Sequence, residues 1–233
     1  MSTINRQPLI SCLCVTQKKP KMLERVINCF HNQSYKNKQL IIVYEDFDVL
    51  THEFIINQKF DNKVKVIQID STQGKIPLGE LRNISIRLSD GEYVCQWDDD
   101  DWFDPDRLAT QMQFVRESKK PACILSRWIV FDAQNKKAYI SNKRLWEGSI
   151  LCEKELMLKK PYPAIHKGED SSTIEYLYKR DKLHVIDDMP ELYIYISHGN
   201  NTWEQKHFEQ IFQFSTELPN EYSLEIQEIL EGQ

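Results

Sequence analysis

Residues 93–97 read as a buried strand, and four consecutive carboxylates, Asp98, Asp99, Asp100 and Asp101, end it abruptly. Trp102, Phe103, Asp104 and Pro105 come next, and then a helical pattern. Adjacent acids repel one another, so unless they are simply solvated the cluster needs a cation to hold it together. Hard divalent ions take carboxylate oxygens, and Mg²⁺ in particular is held by one or two carboxylates plus the phosphates of a substrate. In open α/β sheets, ligands bind in the crevice outside the carboxyl ends of the strands, where this cluster would lie. The plain alternative is an acidic loop with no ligand.

Upstream, strands and helices alternate. Residues 9–15 are a near-continuous apolar run, the pattern of a strand buried on both faces. Pro20 precedes a stretch with Met22, Leu23, Val26, Ile27 and Phe30 at helical spacing. Residues 39–44 and 64–69 read as the next strands, with a weaker helix through Phe54, Ile55 and Ile56 between them. This order is the signature of a parallel sheet with crossover helices. The loop at residues 74–79 opens a helix carrying Arg82 and Asn83, and helix N-termini attract phosphate. Taken alone, Arg82 reads as half of a surface ion pair. Asp104 reads as an N-cap with Pro105 at the first helical position, launching a buried stripe of Leu108, Met112 and Val115.

After Pro121 the pattern becomes mixed and partly antiparallel. Short strands are expected at residues 123–125 and 128–131, and a turn at 132–136. A polar loop at 166–172 runs into a helix with Ile174, Leu177 and Tyr178, and further strands are expected at 183–186 and 192–196. Two helices around Pro219 complete the chain, so the division expected is one domain over residues 1–203 and a helical tail over 204–233.

With 41% apolar and 28% charged residues the chain can bury a core, and its net charge of −5 argues against a nucleic-acid binder that neutralises phosphates. The short basic clusters, Lys18, Lys19 and Lys21 in one and Lys159 and Lys160 in the other, read as solvated faces. Cys12, Cys14, Cys29, Cys95, Cys123 and Cys152 lack the paired spacing of a zinc site and read as buried small hydrophobes in a reducing compartment. Residues 1–6 carry no apolar core of signal-peptide type, and no run approaches the roughly 18 apolar residues of a membrane span. A soluble, cytoplasmic protein is expected.

Three loops carry candidate metal or acid/base groups: the four acids, Glu169 with Asp170, and His198. Singly, Glu-Asp before a helix reads as a cap and a histidine after a strand as structural. Together, each beside turn residues at an element's end, they read as parts of one site.

The strand from Pro8, the Arg82-Asn83 helix, the run from Trp97 to Trp102, Gly168-Glu169-Asp170 and His198-Gly199-Asn200-Asn201-Thr202-Trp203 resemble, in that order, the family 2 glycosyltransferases of GT-A fold. The resemblance spans about residues 8–203. It implies an α/β fold with a mostly parallel, Rossmann-like sheet, a mixed second half and C-terminal helices. Residues 8–102 would be the nucleotide-sugar half and 103–203 the acceptor half. The implied activity is inverting transfer of a sugar from a nucleotide diphosphate donor, a UDP-sugar first among them, to a saccharide or glycolipid hydroxyl. Mn²⁺ or Mg²⁺ would be the cofactor, surface polysaccharide or glycolipid synthesis the setting, and peripheral membrane contact is left open. By position, Asp98, with Asp99 beside it, would lie near the donor's ribose or sugar. Asp100 would bind the metal and His198 approach it. Asp170 would be the acceptor-activating base, with Glu169 beside it. Thr16, Glu45 and Asp46 match the nucleoside-holding regions, and Arg82 lies where the diphosphate or base is approached. The family's usual Asp-Asp-Gly-Ser is here Glu45-Asp46-Phe47-Asp48, which leaves open which acid meets the base. Trp146, Glu147 and Trp203 are candidates for the acceptor side, since indole faces stack on sugar rings; core packing is the alternative for both tryptophans.

Rival readings fare less well. A nucleotidyltransferase would want glycine in the loop after the first strand, which holds Lys18, Lys19 and Lys21 instead. An EF-hand counted from Asp98 would need glycine and glutamate where Phe103 and Ala109 stand. An aspartyl phosphatase would want a small hydroxyl residue at Trp102. A degenerate transferase that only binds a partner remains, and it predicts no metal-dependent nucleotide binding.

Overall fold

The computed structural model describes residues 6–232; residues 1–5, which hold most of the segment read for a leader, and Gln233 at the end of the tail lie outside it. The first half has the expected alternation: β1 (Ile10–Val15), α1 (Pro20–Asn32), β2 (Lys38–Glu45), α2 (Val49–Ile56), β3 (Val64–Ile69), α3 (Leu78–Leu88) and β4 (Tyr93–Gln96). β4, β1, β2 and β3 lie side by side in that order, all parallel. Successive side chains enter opposite layers. Ile10, Cys12, Cys14, Leu40 and Ile42 pack with Leu23, Val26 and Phe30 of α1, while Leu13, Ile41 and Val43 pack with Leu81 and Ile86 of α3. Burial on both faces is why these runs are apolar throughout. All six cysteines are buried.

The second half comprises β5 (Trp102–Phe103), α4 (Arg107–Ser118), β6 (Ala122–Leu125), β7 (Ile129–Asp132), β8 (Lys137–Ile140), β9 (Trp146–Glu153), α5 (Lys154–Lys159), α6 (Ser171–Lys179), β10 (Leu183–Ile186), β11 (Tyr193–Ser197), α7 (Gln205–Phe214), β12 (Thr216–Glu217) and α8 (Asn220–Glu231). β9 runs antiparallel between β4 and β6, and β10 extends the sheet parallel to β6. The first sheet is therefore ordered β10-β6-β9-β4-β1-β2-β3, and a second is ordered β12-β8-β7-β11-β5. The result is an α/β fold with a mostly parallel first sheet and a mixed second half.

The acids lie between β4 in the first sheet and β5 in the second, so the chain changes sheets across them. Trp97 anchors the near side of that crossing: its ring is fully buried and its Nε1 donates to the Val26 carbonyl of α1 at 3.1 Å.

One local expectation is corrected and two are refined. The helix after the acids starts at Arg107, because Asp104 builds a turn, its carboxylate accepting from the Asp106 amide at 2.8 Å and its carbonyl from the Arg107 amide at 3.0 Å. Tyr178 is exposed, and the buried stripe of α6 is Thr173, Ile174 and Leu177. The terminal helices are separated by β12, which pairs antiparallel with β8. Phe208 and Ile211 of α7 and Ile226 of α8 join the same buried cluster as β1.

Candidate active site

The acids form one wall of a cleft enclosing about 890 Å³, its open mouth included. The β1–α1 loop, the start of α3, the start of β9, the loop into α6 and the loop after β11 form the rest. Two glycine positions set its width. At Gly79 a Cβ would stand 1.9 Å from the Pro163 carbonyl oxygen, so only glycine lets α3 touch the strap that leads to Asp170. Asn83 fastens the same strap, donating to the Tyr162 carbonyl at 2.9 Å and accepting its amide at 3.0 Å. At Gly148 a Cβ would lie 3.2 Å from Asp98 Oδ2 and 3.1 Å from the Tyr193 hydroxyl, so β9 passes directly against the first acid.

Each acid has its own partner. Asp98 pairs with Arg82 at 2.9 Å, and the same guanidinium reaches Glu169 at 2.7 Å. Arg82 is thus buried between two walls of the cleft, not on the surface as it reads alone. Asp99 accepts from the Thr16 hydroxyl at 2.7 Å and from Lys19 Nζ at 3.2 Å. Asp100 Oδ2 meets Lys19 Nζ at 2.6 Å and His198 Nε2 at 3.0 Å. His198 Nδ1 accepts the Asn200 amide at 3.2 Å, which puts the ring proton on Nε2, facing Asp100. Asp101 accepts from the Tyr193 hydroxyl at 2.5 Å and the Ile196 amide at 3.1 Å, fastening the crossing to β11.

The partners divide the charge. Burial, then the charge of Asp100, pushes Asp99 up to about 6. Burial works in the same direction on Asp100, but the His198 hydrogen bond and Lys19 overcome it and hold that carboxyl below its usual range. Burial, with Asp100 and Asp98, pushes Asp101 well up. The chain thus supplies its own cations to the cluster, and Lys19, read from sequence as part of a solvated face, is one of them. Lys19 does stand directly before Pro20 at a helix start, which sets it at the carboxyl end of β1; nothing local says that its side chain turns inward.

The loop into α6 brings Asp170 to the same cleft. It occupies the N-cap position of α6 but its side chain caps nothing; the Thr173 and Ile174 amides bond its carbonyl instead, at 3.0 and 3.1 Å. Burial first, then the negative charge of Glu169, pushes the Asp170 carboxyl up to about 7. Glu147 accepts from Arg144 at 3.0 Å and from the Ser171 hydroxyl at 3.1 Å on the same side.

Against this geometry, residues 11–175 match the model of glycosyl transferase family 2. The chain belongs to this family. It is 28% identical over 130 residues to an uncharacterized glycosyltransferase of Methanocaldococcus jannaschii, a match covering 55% of this chain and 44% of that one. It is 25% identical over 154 residues to the GalNAc(5)-diNAcBac-PP-undecaprenol beta-1,3-glucosyltransferase of Campylobacter jejuni, covering 66% of this chain and 48% of that one. The family 2 chain thus spans less than half the length of these relatives. Among solved structures, S. aureus TarS in complex with UDP superposes with a TM-score of 0.65 at 15% identity, over 88% of this chain and 69% of that one. The mannosyltransferase PcManGT from Pyrobaculum calidifontis, in complex with GDP-Man and Mn²⁺, also gives 0.65, at 12% identity over 83% and 57% of the two chains. The fold is that of the GT-A glycosyltransferases.

The expected site residues of the family 2 chain fall into two groups. Arg82, Asp98, Asp99, Asp100, Trp146, Glu147, Glu169 and Asp170 line the cleft, and Thr16 and His198 bond to acids that do. Trp146 is 8% exposed and stacked on Trp128 with ring centres 4.4 Å apart, so most of its surface serves packing. Glu45 and Asp46 stand at the end of β2 with local duties: Glu45 accepts the Ile76 amide at 2.8 Å, and Asp46 accepts the Ser71 amide and hydroxyl. Neither lines the cleft among the described residues. Lys19, Arg144, Lys167, Asn201 and His207 do line it and had no role read from sequence. Trp203 is 41% exposed at the rim, stacked on His207 at 4.7 Å.

The donor chemistry fits a hard divalent ion only in part. Among the described residues no three His, Cys, Asp or Glu side chains are gathered in metal-binding geometry. Asp100 and His198 nevertheless converge, and a lysine ammonium stands against Asp100 where a cation is called for. Two protein ligands completed by substrate phosphates is the usual arrangement for such an ion.

Proposed function

We propose that this chain carries the transfer chemistry of a glycosyltransferase, moving a sugar from a nucleoside diphosphate, UDP in the first instance, to an acceptor hydroxyl with inversion. The observation that supports it best is the meeting in one cleft of a cation-stabilised acid cluster and a carboxylate on another segment, Asp170, that is pushed up to about 7. A base poised near neutral pH takes the acceptor proton most effectively, provided it lies within about 3 Å. Inversion requires that base on the face opposite the leaving group, so base and metal must come from different segments, and Asp170 and the acids line one cleft from different segments. Asp98 and Asp99 would hold the ribose or sugar, and Arg82 would meet the diphosphate. Thr16, with Glu45 or Asp46 at the end of β2, would hold the nucleoside. Trp146, Glu147 and Glu169 would flank the acceptor.

Asp100 and His198 would hold Mn²⁺ or Mg²⁺; ligation through His198 Nε2 would move the ring proton to Nδ1 and give up the hydrogen bond that Nδ1 accepts from the Asn200 amide. Such an ion, when bound, supplies Lewis-acid stabilisation of the charge on the departing diphosphate. The Campylobacter relative is named for glycosyl transfer to a lipid-diphosphate saccharide, which supports a saccharide or glycolipid acceptor and a place in surface polysaccharide or glycolipid synthesis. Among the described residues no helix is long and apolar enough to cross a membrane.

Calorimetric titration of UDP, with Mn²⁺ and with chelator, tests the donor side. Binding is expected only with the metal and is expected to vanish in Asp100→Ala. Metal-independent binding, or full binding by the variant, removes Asp100 from the role; failure of every nucleotide against folded protein sinks the transferase reading.

A further inference from the structure

Lys19 is the N-cap residue of α1, and its side chain turns away from the helix into the cleft. The turn that places it is built: Lys18 adopts φ 58°, and its amide donates to Asp48 Oδ2 at 2.6 Å. From there the Lys19 ammonium bridges both acids, 3.2 Å from Asp99 and 2.6 Å from Asp100, on the same Asp100 oxygen that His198 reaches. Asp99 and Asp100 are 6% and 7% exposed, so without this ammonium two neighbouring buried carboxylates would face each other with little water to screen them.

We propose that Lys19 is a built-in counter-cation that closes Asp99 and Asp100 to a free divalent ion, and that it releases them only when a nucleoside diphosphate arrives with the metal. This inference deepens the transferase reading and rests on it. Three physical points carry it. An ammonium and a hard cation compete for the same carboxylate oxygen, so one must leave for the other to enter. Lys19 lies on the cleft wall, and its flexible stem can turn toward an incoming phosphate without moving α1. Removal of the ammonium would uncover both acids it bridges, including the Asp100 oxygen that His198 also reaches, for a cation completed by substrate phosphates. Metal and nucleotide then bind with positive coupling, which thermodynamic reciprocity requires in both directions.

The test is Mn²⁺ titration of the protein monitored by electron paramagnetic resonance, without and with UDP. Wild type, Lys19→Met, Lys19→Gln and Lys19→Met/Asp100→Asn are compared, each checked for folding by circular dichroism. Wild type is expected to bind Mn²⁺ poorly alone and at least about tenfold more tightly with UDP. Lys19→Met is expected to bind Mn²⁺ alone about tenfold more tightly than wild type, and to lose that gain in the double variant. Lys19→Gln keeps a hydrogen-bond donor without the charge, so it gives the same answer if the methionine variant fails to fold. Equal metal affinity in wild type and either single variant overturns the proposal while leaving the transferase reading intact. A gain that survives Asp100→Asn also overturns it, and absence of Mn²⁺ binding from every form, with UDP present, overturns both.

Discussion

Asp170 concentrates the testable chemistry of single residues. Replacing it with asparagine keeps the shape and removes the base, so Asp170→Asn is expected to lose transfer by about 10²-fold or more while nucleotide binding stays within a few-fold of wild type. Near-normal turnover would remove Asp170 from the role. Because the folded carboxyl is pushed up to about 7, the working ionised form gains as pH rises, and turnover should climb through about pH 7 and level off at higher pH. Stability runs the other way. An unfolded aspartate loses its proton near 4, so between about pH 4 and 7 the folded state holds more protons and stability falls as pH rises. Asp170→Asn should therefore melt at a higher temperature than wild type at pH 8 and match it near pH 4, as thermal scans at the two pH values would show. At this scale sequence was a good guide to which acids matter and a poor one to their partners. The adjacency of Asp98 to Asp101 and of Glu169 to Asp170 is written in the chain, whereas Lys19 and Asp99 stand 80 positions apart.

Among elements, the crossing from β4 to β5 decides how the acids are presented. It is held at one end by Trp97 on α1 and at the other by Asp101 on β11, through the Tyr193 hydroxyl and the Ile196 amide. Tyr193→Phe deletes one of those bonds and leaves a fully buried carboxyl less well satisfied, so urea denaturation should show a loss of about 1–3 kcal/mol. A loss below about 0.5 kcal/mol would mean that the Ile196 amide alone holds the crossing. Strands and helices were legible because each has a burial period of its own: β1 alternates between two layers, and α1 returns Leu23, Val26, Ile27 and Phe30 to one face. The start of α4 was misplaced because Asp104 and Pro105 suit a turn as well as a helix end, and the choice between them depends on where β5 pairs.

For the whole molecule, the terminal helices pack as part of the core. Phe208, Ile211 and Ile226 are buried in the main core, and β12 adds a strand to the second sheet. Each buried side chain of this kind contributes about 1.5–3 kcal/mol, and three of them amount to a large part of the 5–15 kcal/mol that holds a typical domain together. A chain ending at residue 203 is therefore expected to melt more than about 10 °C lower or without a cooperative transition, measured by circular dichroism. A melting temperature within about 2 °C of the full chain would make the tail a separate unit. The sequence by itself determined the order of strands and helices, the two-sided burial of the first sheet and the position of the acid cluster at a strand end, because those come from local periodicity and charge. Only the tertiary structure decided that Arg82 joins Asp98 to Glu169, that Lys19 bridges Asp99 and Asp100, and that Asp170 joins them in one cleft, its side chain capping nothing. Ion pairs across a cleft depend on how two sheets and their loops close on one another, and no local pattern encodes that distance.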